Sequence, residues 1–207
     1  MYTEDNDGKF NTGGSVAGDA TNDWPVVLWD YYMKRGNLTL CPSATKEHFE
    51  GVRFAFAAWS WDKSGGWTGL KEKQAPDYGS YGQNEWICNR DTSERYWKTR
   101  HVKNTDKIPL FFDCAWLDLY PSDTDSPAQF EEIPSTSSEM QLVCLNRHTG
   151  YVNTLFIDCT TVRKVGLKEL WTLKWHREFD NKTNAWTRGG NVQPENWPEW
   201  MRGFKDY

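Results

Sequence analysis

Residues 140–166, MQLVCLNRHTGYVNTLFIDCTTVRKVG, carry the clearest structural pattern in the sequence. The apolar segments Met140 to Asn146 and Val152 to Asp158 flank the turn sequence Arg147-His148-Thr149-Gly150. The glycine of this turn stands where a hairpin needs positive φ. Thr161 to Val165 follows as a further strand candidate. The pattern predicts a β-hairpin that a third antiparallel strand extends.

Outside this stretch, the predicted elements are short and the connections between them are long. Leu167 to His176 places Leu and Trp side chains on one side at helical spacing, which predicts a short helix on the sheet. Apolar residues at helical spacing predict a second helix over Trp24 to Arg35. Residues 62–105 and 120–138 are predicted connections. The other predicted strands are Leu38 to Cys41, Phe54 to Trp61 and Ile108 to Leu119.

Predicted strands follow one another without alternating helices, which is typical of the α+β class with an antiparallel sheet. The chain has 207 residues, of which 38% are hydrophobic, and this is enough for one domain with a core of its own. We therefore predict a single globular domain over residues 1–207. The tail that contains Trp186, Trp197 and Trp200 is too rich in tryptophan to stay in water, so we expect it to pack on the body.

Charge and hydropathy exclude several partners. Lys and Arg number 24 against 29 Asp and Glu, a net charge of -5, so the chain lacks the basic surface that binds nucleic acid. Its best apolar run, Val52 to Trp61, is too short to span a bilayer and contains Arg53. The acidic start, Met1 to Gly8, has no features of a secretory signal, which leaves open a cytosolic protein or a fragment without its export segment.

The cysteine pattern argues against a zinc ribbon or a thioredoxin-like site, because the sequence has no C-x-x-C pair. An odd number of cysteines leaves at least one thiol without a partner in the same chain. We favour an exported chain with one or two disulfides over a reduced one. The five cysteines are Cys41, Cys88, Cys114, Cys144 and Cys159.

Catalytic motifs are scarce. The sequence has no G-x-S-x-G, and its histidines (His48, His101, His148 and His176) form no H-E-x-x-H, so neither a nucleophilic triad nor a catalytic zinc site is favoured. A polysaccharide hydrolase that uses Glu131 or Glu132 with an aspartate is one functional hypothesis, although acidic loops are normally just solvated. The carboxylates that suggest it are Asp113, Asp118, Asp123, Asp125, Glu131 and Glu132.

Two weaker signals concern ligands. Asp5-Asn6-Asp7-Gly8 resembles the start of an EF-hand loop, but the twelfth position counted from Thr3 is Gly14 rather than Glu, so only a looser calcium site stays open. Trp59, Trp61 and Trp67 are candidates for stacking on sugar rings. The competing interpretation is that most of the 13 Trp fill the core.

The predicted hairpin holds the most ordered local signal, His148 followed after nine residues by Asp158. We favour a structural role over catalysis, in which His148 hydrogen bonds to the turn backbone and Asp158 caps the next turn. Arg147, His148, Gly150 and Asp158 together are the predicted structural motif of the hairpin.

The run Asn146 to Asp158, with Thr161-Val162-Arg163 and Leu167 to His176, resembles the C-terminal half of type II secretion pseudopilin-like proteins. More narrowly, it is similar to the Planctomycetes and Lentisphaerae subgroup that has a prepilin-type cleavage and methylation segment and a His, nine residues, Asp-Gly pattern. The final Gly of that pattern is Cys159 here, which puts a tight turn after Asp158 in doubt. The family's apolar N-terminal helix is not in the sequence. The resemblance extends to Met1 to Phe10, Cys41-Pro42-Ser43, Ser80 to Asn84 and Trp197 to Met201, and so to nearly the whole chain.

The resemblance implies a pilin-like head, in which the end of an N-terminal helix precedes an antiparallel sheet with long loops. It implies a non-catalytic structural subunit of a pseudopilus or related assembly, with other pseudopilin subunits and the secretion machinery as partners. Such a subunit is exported to the periplasm or cell surface, and the full-length protein is anchored in the inner membrane only through the missing helix. The alternative is an exported carbohydrate-binding or adhesive module.

No cofactor is implied by the resemblance, except that some major pseudopilin heads bind calcium in a C-terminal loop. Oxygen atoms for calcium are available on Asp118, Asp123, Asp125 and the loop from Asp180 to Asn184. No family ligand maps onto these positions, so calcium stays open and the metal ligands stay unknown.

Overall fold

The computed structural model describes residues 2–14, 22–32, 36–47, 55–60, 78–131, 138–160 and 162–207. It confirms the α+β class. The α-helices are single turns, α1 (Tyr2–Asp5), α2 (Trp24–Val27) and α3 (Glu199–Arg202), and no helix of the described ranges has the length and apolarity to cross a membrane. The 3-10 helices are Gly36–Thr39, Glu85–Ile87, Thr105–Lys107, Glu139–Leu142, Lys168–Thr172 and Pro194–Asn196. The strands are β1 (Lys46–Glu47), β2 (Ala57–Ser60), β3 (Tyr78–Gly79), β4 (Tyr81–Asn84), β5 (Pro109–Asp113), β6 (Asp118–Leu119), β7 (Tyr151–Phe156) and β8 (Val162–Gly166).

A five-stranded sheet forms the centre of the fold, with the order β6-β4-β5-β7-β8. Its neighbours are antiparallel except for β4 and β6, which run parallel. Along β7, buried residues alternate with half-buried ones, as expected for a strand with one face on a core. A smaller sheet has the order β1-β2-β3, with β1 parallel and β3 antiparallel to β2.

The predicted hairpin is displaced by one strand. β7 pairs with β8 rather than with Met140 to Asn146, and the strand prediction for that segment is wrong. Residues 140–145 are all buried, and the first three of them belong to the 3-10 helix Glu139–Leu142. Such a buried run does not by itself distinguish a strand from a helical turn. Gly150 has φ +88, so the prediction of positive φ at this turn is confirmed.

Three other segments differ from their predictions. The helix predicted for Trp24 to Arg35 is regular only over α2, followed by turns to residue 32. Leu38 to Cys41 is not a strand, because the 3-10 helix Gly36–Thr39 covers its start. The strand predicted for Ile108 to Leu119 is divided into β5 and β6, because the Ala115 amide leaves the sheet to bond to the Leu142 carbonyl.

The sequence pattern did not predict β4, which lies inside the central sheet between β5 and β6. Its sequence, YGQN, has few of the residues that favour strands. At Gly82 an added Cβ would lie 2.6 Å from the Trp116 carbonyl oxygen and 2.9 Å from Cys114 Sγ. Close packing against the segment between β5 and β6 therefore requires glycine here.

The largest core cluster lies between the central sheet and the C-terminal third of the chain. Trp171, Trp175 and Phe179 are fully buried there, with Phe112 of β5 and Phe156 of β7. The prediction that the Trp-rich tail packs on the body is confirmed, because Trp197 is buried and Trp186 and Trp200 pack against the same cluster. Every Trp of the described ranges is buried or half-buried, as the core interpretation expects.

Candidate functional site

Three side chains of different chemistry meet beside the turn that precedes β7. Cys41 lies between the 3-10 helix Gly36–Thr39 and β1, Asp113 ends β5, and His148 belongs to the turn. His148 Nε2 is 3.3 Å from Cys41 Sγ and 3.3 Å from Asp113 Oδ2. Within the described ranges, this is the one group of three or more His, Cys, Asp or Glu residues whose ligand atoms all lie within 4.8 Å of one another.

The neighbouring Arg147 is 5% exposed and binds main-chain carbonyls. Its Nε donates to Ala55, its Nη1 to Ser80 at 2.7 Å and its Nη2 to Ala57 of β2 at 3.0 Å. Burial lowers the pKa of this guanidinium, and the nearby Asp113 carboxylate opposes the shift. Arg147 thus joins the turn before β7 to the small sheet.

The Asp113 carboxylate is 0% exposed, which makes each of its contacts matter. Oδ2 accepts a hydrogen bond from the Asn153 amide of β7 at 2.7 Å. Oδ1 is buried too, and no donor of the described residues reaches it. A buried oxygen without a partner is costly and rare in native proteins, so this atom requires an explanation.

Cys41 is buried, and hydrogen bonds hold both its amide and its sulfur. Its amide donates to Ser80 Oγ at 2.5 Å, and the Ser43 amide hydrogen bonds to its sulfur. Burial raises the pKa of the Cys41 thiol above its ordinary value, and Asp113 acts in the same direction. Burial therefore favours the thiol over the thiolate at this sulfur.

The geometry also differs from that of a catalytic triad. In a triad, one ring nitrogen of the histidine faces the nucleophile and the other faces the carboxylate. Here Nε2 of His148 faces both the Cys41 sulfur and the Asp113 oxygen. The imidazole therefore does not relay a proton from thiol to carboxylate. The three side chains can serve as a hydrogen-bonded cross-link or as ligands of one metal ion.

The predicted structural motif is brought together only in part. Asp158 accepts from the Thr160 amide and hydroxyl, which agrees with its predicted capping role. His148 differs from its prediction, because its side chain contacts Cys41 and Asp113 instead of the turn backbone. The association of these three residues is not predictable from local spacing, since Cys41 lies 107 residues before His148.

The sugar-stacking prediction is wrong for Trp59. This side chain is 2% exposed, packs edge-to-face on Trp24 and donates from Nε1 to the Tyr81 carbonyl. Its ring faces are therefore not available to a sugar. Trp61 and Trp67 lie outside the described residues.

The acidic residues considered for hydrolysis or calcium mainly order their own loops. Glu131 accepts from Asn146 at 2.5 Å, and Glu132 lies outside the described residues. Asp125 Oδ2 accepts the Ser122 and Met140 amides, both at 3.0 Å. The loops of Asp123 and Asp180 do meet, through a bond from the Asp180 amide to Asp123 Oδ2 at 3.4 Å. This contact joins two loops and collects no third acidic ligand within the described ranges.

All five cysteines are free thiols, so the expectation of one or two disulfides is wrong. Cys159 is exposed, whereas the other four are buried. The turn after Asp158 persists without glycine, because Cys159 itself adopts φ +54.

Comparison of the chain with protein-family models, curated proteins and solved structures finds no match in any of the three. The resemblance to pseudopilin-like proteins stays a prediction.

Proposed function

We propose that the chain is the globular head of a non-catalytic structural subunit of a pseudopilus or related pilus-like fibre. In this proposal the full-length protein is exported, is anchored in the inner membrane by an N-terminal helix and binds other subunits of its assembly. The pilin-like identity of the α+β fold is part of the same proposal. Its mechanism is assembly and presentation rather than turnover.

The observation that supports it best is the use of Arg147. An arginine that recognises substrate presents its guanidinium to a ligand, whereas Arg147 is buried and donates to three carbonyls of its own chain. Two other residues of the same motif have architectural contacts, because Gly150 provides the turn with positive φ and Asp158 caps the turn after β7. The most distinctive motif of the sequence is thus used to build the head.

The first test is the DNA upstream of Met1, translated in frame. We expect a short basic leader, a prepilin-type cleavage site and an apolar helix of about 20 residues. A stop codon or an ordinary start without such a segment would contradict the fibre role.

The second test uses the full-length gene product, expressed with and without a prepilin peptidase. We expect the peptidase to shorten the protein by its leader, as read by mass spectrometry of the membrane fraction. The proposal would be contradicted if the full-length protein stayed uncleaved and was recovered outside the membrane fraction. The glycan-binding alternative gains no support from the described residues, because Trp59 is buried.

A further inference from the structure

The three side chains near His148 have the spacing of metal ligands. With zinc bonds of about 2.3 Å to sulfur and about 2.0 Å to nitrogen and oxygen, a tetrahedral ion holds sulfur and nitrogen about 3.5 Å apart and nitrogen and oxygen about 3.3 Å apart. The distances from His148 Nε2 to Cys41 Sγ and to Asp113 Oδ2 are both 3.3 Å. The two separations that include His148 Nε2 thus already match edges of one coordination tetrahedron, and the third pair of ligand atoms, on Cys41 and Asp113, lies within 4.8 Å.

We propose that Cys41 Sγ, Asp113 and His148 Nε2 bind one divalent transition-metal ion of the zinc type. A cation at this point explains why one imidazole nitrogen faces a sulfur and a carboxylate oxygen together. It also adds a second positive charge, next to Arg147, beside the fully buried Asp113 carboxylate, whose Oδ1 has no donor from the described residues. The site is independent of the proposed fibre role.

The donor set selects the class of ion. One sulfur, one imidazole nitrogen and one carboxylate oxygen suit zinc and its neighbours among the transition metals. Calcium is a poor fit at this point, because it takes six to eight oxygen ligands. Magnesium requires six hard ligands in octahedral geometry, which a thiolate does not provide.

The surroundings hold the ligands in place, as outer-shell groups do in metal sites. The Asn153 amide orients Asp113, and the backbone around Cys41 is fixed by Ser80. The Ser43 amide bonds to the Cys41 sulfur, a contact that also suits a bound thiolate. The segments that carry the ligands are well separated in the chain, so one ion would tie the loop before β1, the end of β5 and the turn before β7 together.

The ion has a route in and a place for a further ligand. The His148 side chain is 22% exposed, whereas Asp113 is fully buried, so the site opens to solvent on the histidine side. Three protein ligands leave one tetrahedral position for water. Binding through Nε2 requires the imidazole proton to sit on Nδ1.

Titration of the reduced, metal-free 207-residue chain with Co²⁺ tests the proposal. We expect a thiolate-to-cobalt charge-transfer band in the near ultraviolet and visible d-d bands of a four-coordinate ion, both saturating at one equivalent. Zn²⁺ should then remove these bands stoichiometrically. Absence of the charge-transfer band from the wild-type chain would overturn the proposal without any variant.

Substitutions locate the site. Cys41→Ser should abolish the charge-transfer band, and His148→Gln and Asp113→Asn should each weaken Zn²⁺ binding by at least about 100-fold, since outer-shell changes alone cost about 10- to 100-fold. Cys159→Ser is the matched control, because Cys159 is the exposed cysteine, and it should keep the band. A band that survives in Cys41→Ser, or that Cys159→Ser removes, would overturn the assignment.

Circular dichroism of each metal-free variant separates lost binding from lost folding. His148 is half-buried, so its glutamine variant provides a folded test if the Asp113 or Cys41 variant does not fold. If folded His148→Gln binds Zn²⁺ as tightly as the wild type, the proposal fails.

Discussion

At the scale of single residues, burial sets the charge state of His176. This side chain is 1% exposed, lies edge-on to the rings of Trp86 and Phe179 and accepts the Glu178 amide at Nδ1. Its Nε2 is buried, and no hydrogen-bond partner for it exists among the described residues. Burial lowers the pKa of His176 to about 4, with Arg95 acting in the same direction. The folded chain therefore keeps this imidazole neutral where the unfolded chain protonates it.

Protonation of His176 makes stability depend on pH in one direction. Because the folded pKa lies below the ordinary value of 6.5, stability from this group is complete above pH 6.5 and is lost as pH falls toward 4. We expect His176→Gln to remove this loss, which amounts to about 3 kcal/mol at most. Urea unfolding at pH 7 and pH 4 checks it. The prediction fails if variant and wild type lose equal stability between the two pH values.

Cys159 has a backbone conformation that is unfavourable for a residue with a side chain. It has φ +54, in the region that favours glycine, and its side chain is exposed. We expect Cys159→Gly to raise the free energy of unfolding by about 0.5 to 1 kcal/mol, because relief of the strain exceeds the extra entropy of unfolded glycine. Denaturant unfolding under reducing conditions measures the change. Asp158→Gly, which removes the contacts to Thr160, should instead destabilise the chain, and a loss of stability in Cys159→Gly would contradict the argument.

At the scale of elements, the turn before β7 is shaped by its contact with the end of the chain. Gly150 is buried at φ +88, and a Cβ on it would lie 2.8 Å from Cδ1 of Phe204. The turn therefore needs glycine both for its backbone and for the ring that covers it. Phe204 follows α3, so the same contact sets the position of the C-terminal segment against the central sheet.

Gly150 and Gly203, the residue before Phe204, should respond differently to substitution by alanine. Gly150→Ala should lower the free energy of unfolding by about 1 to 3 kcal/mol, because it adds strain at positive φ and displaces Phe204. Gly203 has φ -75 and open space around its Cα, so Gly203→Ala should change stability by less than about 1 kcal/mol. Paired denaturant unfolding curves measure both. Equal losses in the free energy of unfolding of the two variants would contradict the prediction that positive φ and the Phe204 contact require glycine at position 150.

At the scale of the whole molecule, Arg147 connects the turn before β7 of the central sheet to the small sheet. Its three acceptors are carbonyls at Ala55, Ala57 and Ser80, which lie before β2, in β2 and between β3 and β4. A planar guanidinium reaches such a set of carbonyls at once, whereas a lysine ammonium is a compact charge with a different geometry. The connection between the two sheets therefore depends on the planar arrangement of the guanidinium N–H donors of Arg147 as well as on its positive charge.

Arg147→Lys tests that dependence. We expect the free energy of unfolding to fall by about 2 to 4 kcal/mol, because buried carbonyls lose donors and the charge stays buried. Arg95→Lys, at a solvent-exposed ion pair with Glu178, should cost less than about 1 kcal/mol. Thermal and denaturant unfolding of both variants measure the difference. If both variants lost the same free energy of unfolding, the hydrogen bonds of Arg147 would contribute no more to stability than an exposed ion pair.

Local patterns were sufficient where neighbours in sequence are also neighbours in space. They predicted the α+β class, a strand at the position of β7, the positive φ at Gly150 and the burial of the Trp-rich tail. They failed at β4 and at Met140 to Asn146, because strand identity there depends on packing. Gly82 is required by Cys114 and Trp116, which lie about thirty residues further along the chain.

By itself, then, the sequence determined which segments must be buried and where the backbone must turn, since hydrophobicity and φ preference act within a few residues. Only the tertiary structure decided that Cys41, Asp113 and His148 meet, that Arg147 joins two sheets and that Trp59 is buried. These contacts join segments far apart in the chain. Their geometry follows from how the sheets and loops pack, and short-range periodicity contains no information about that packing.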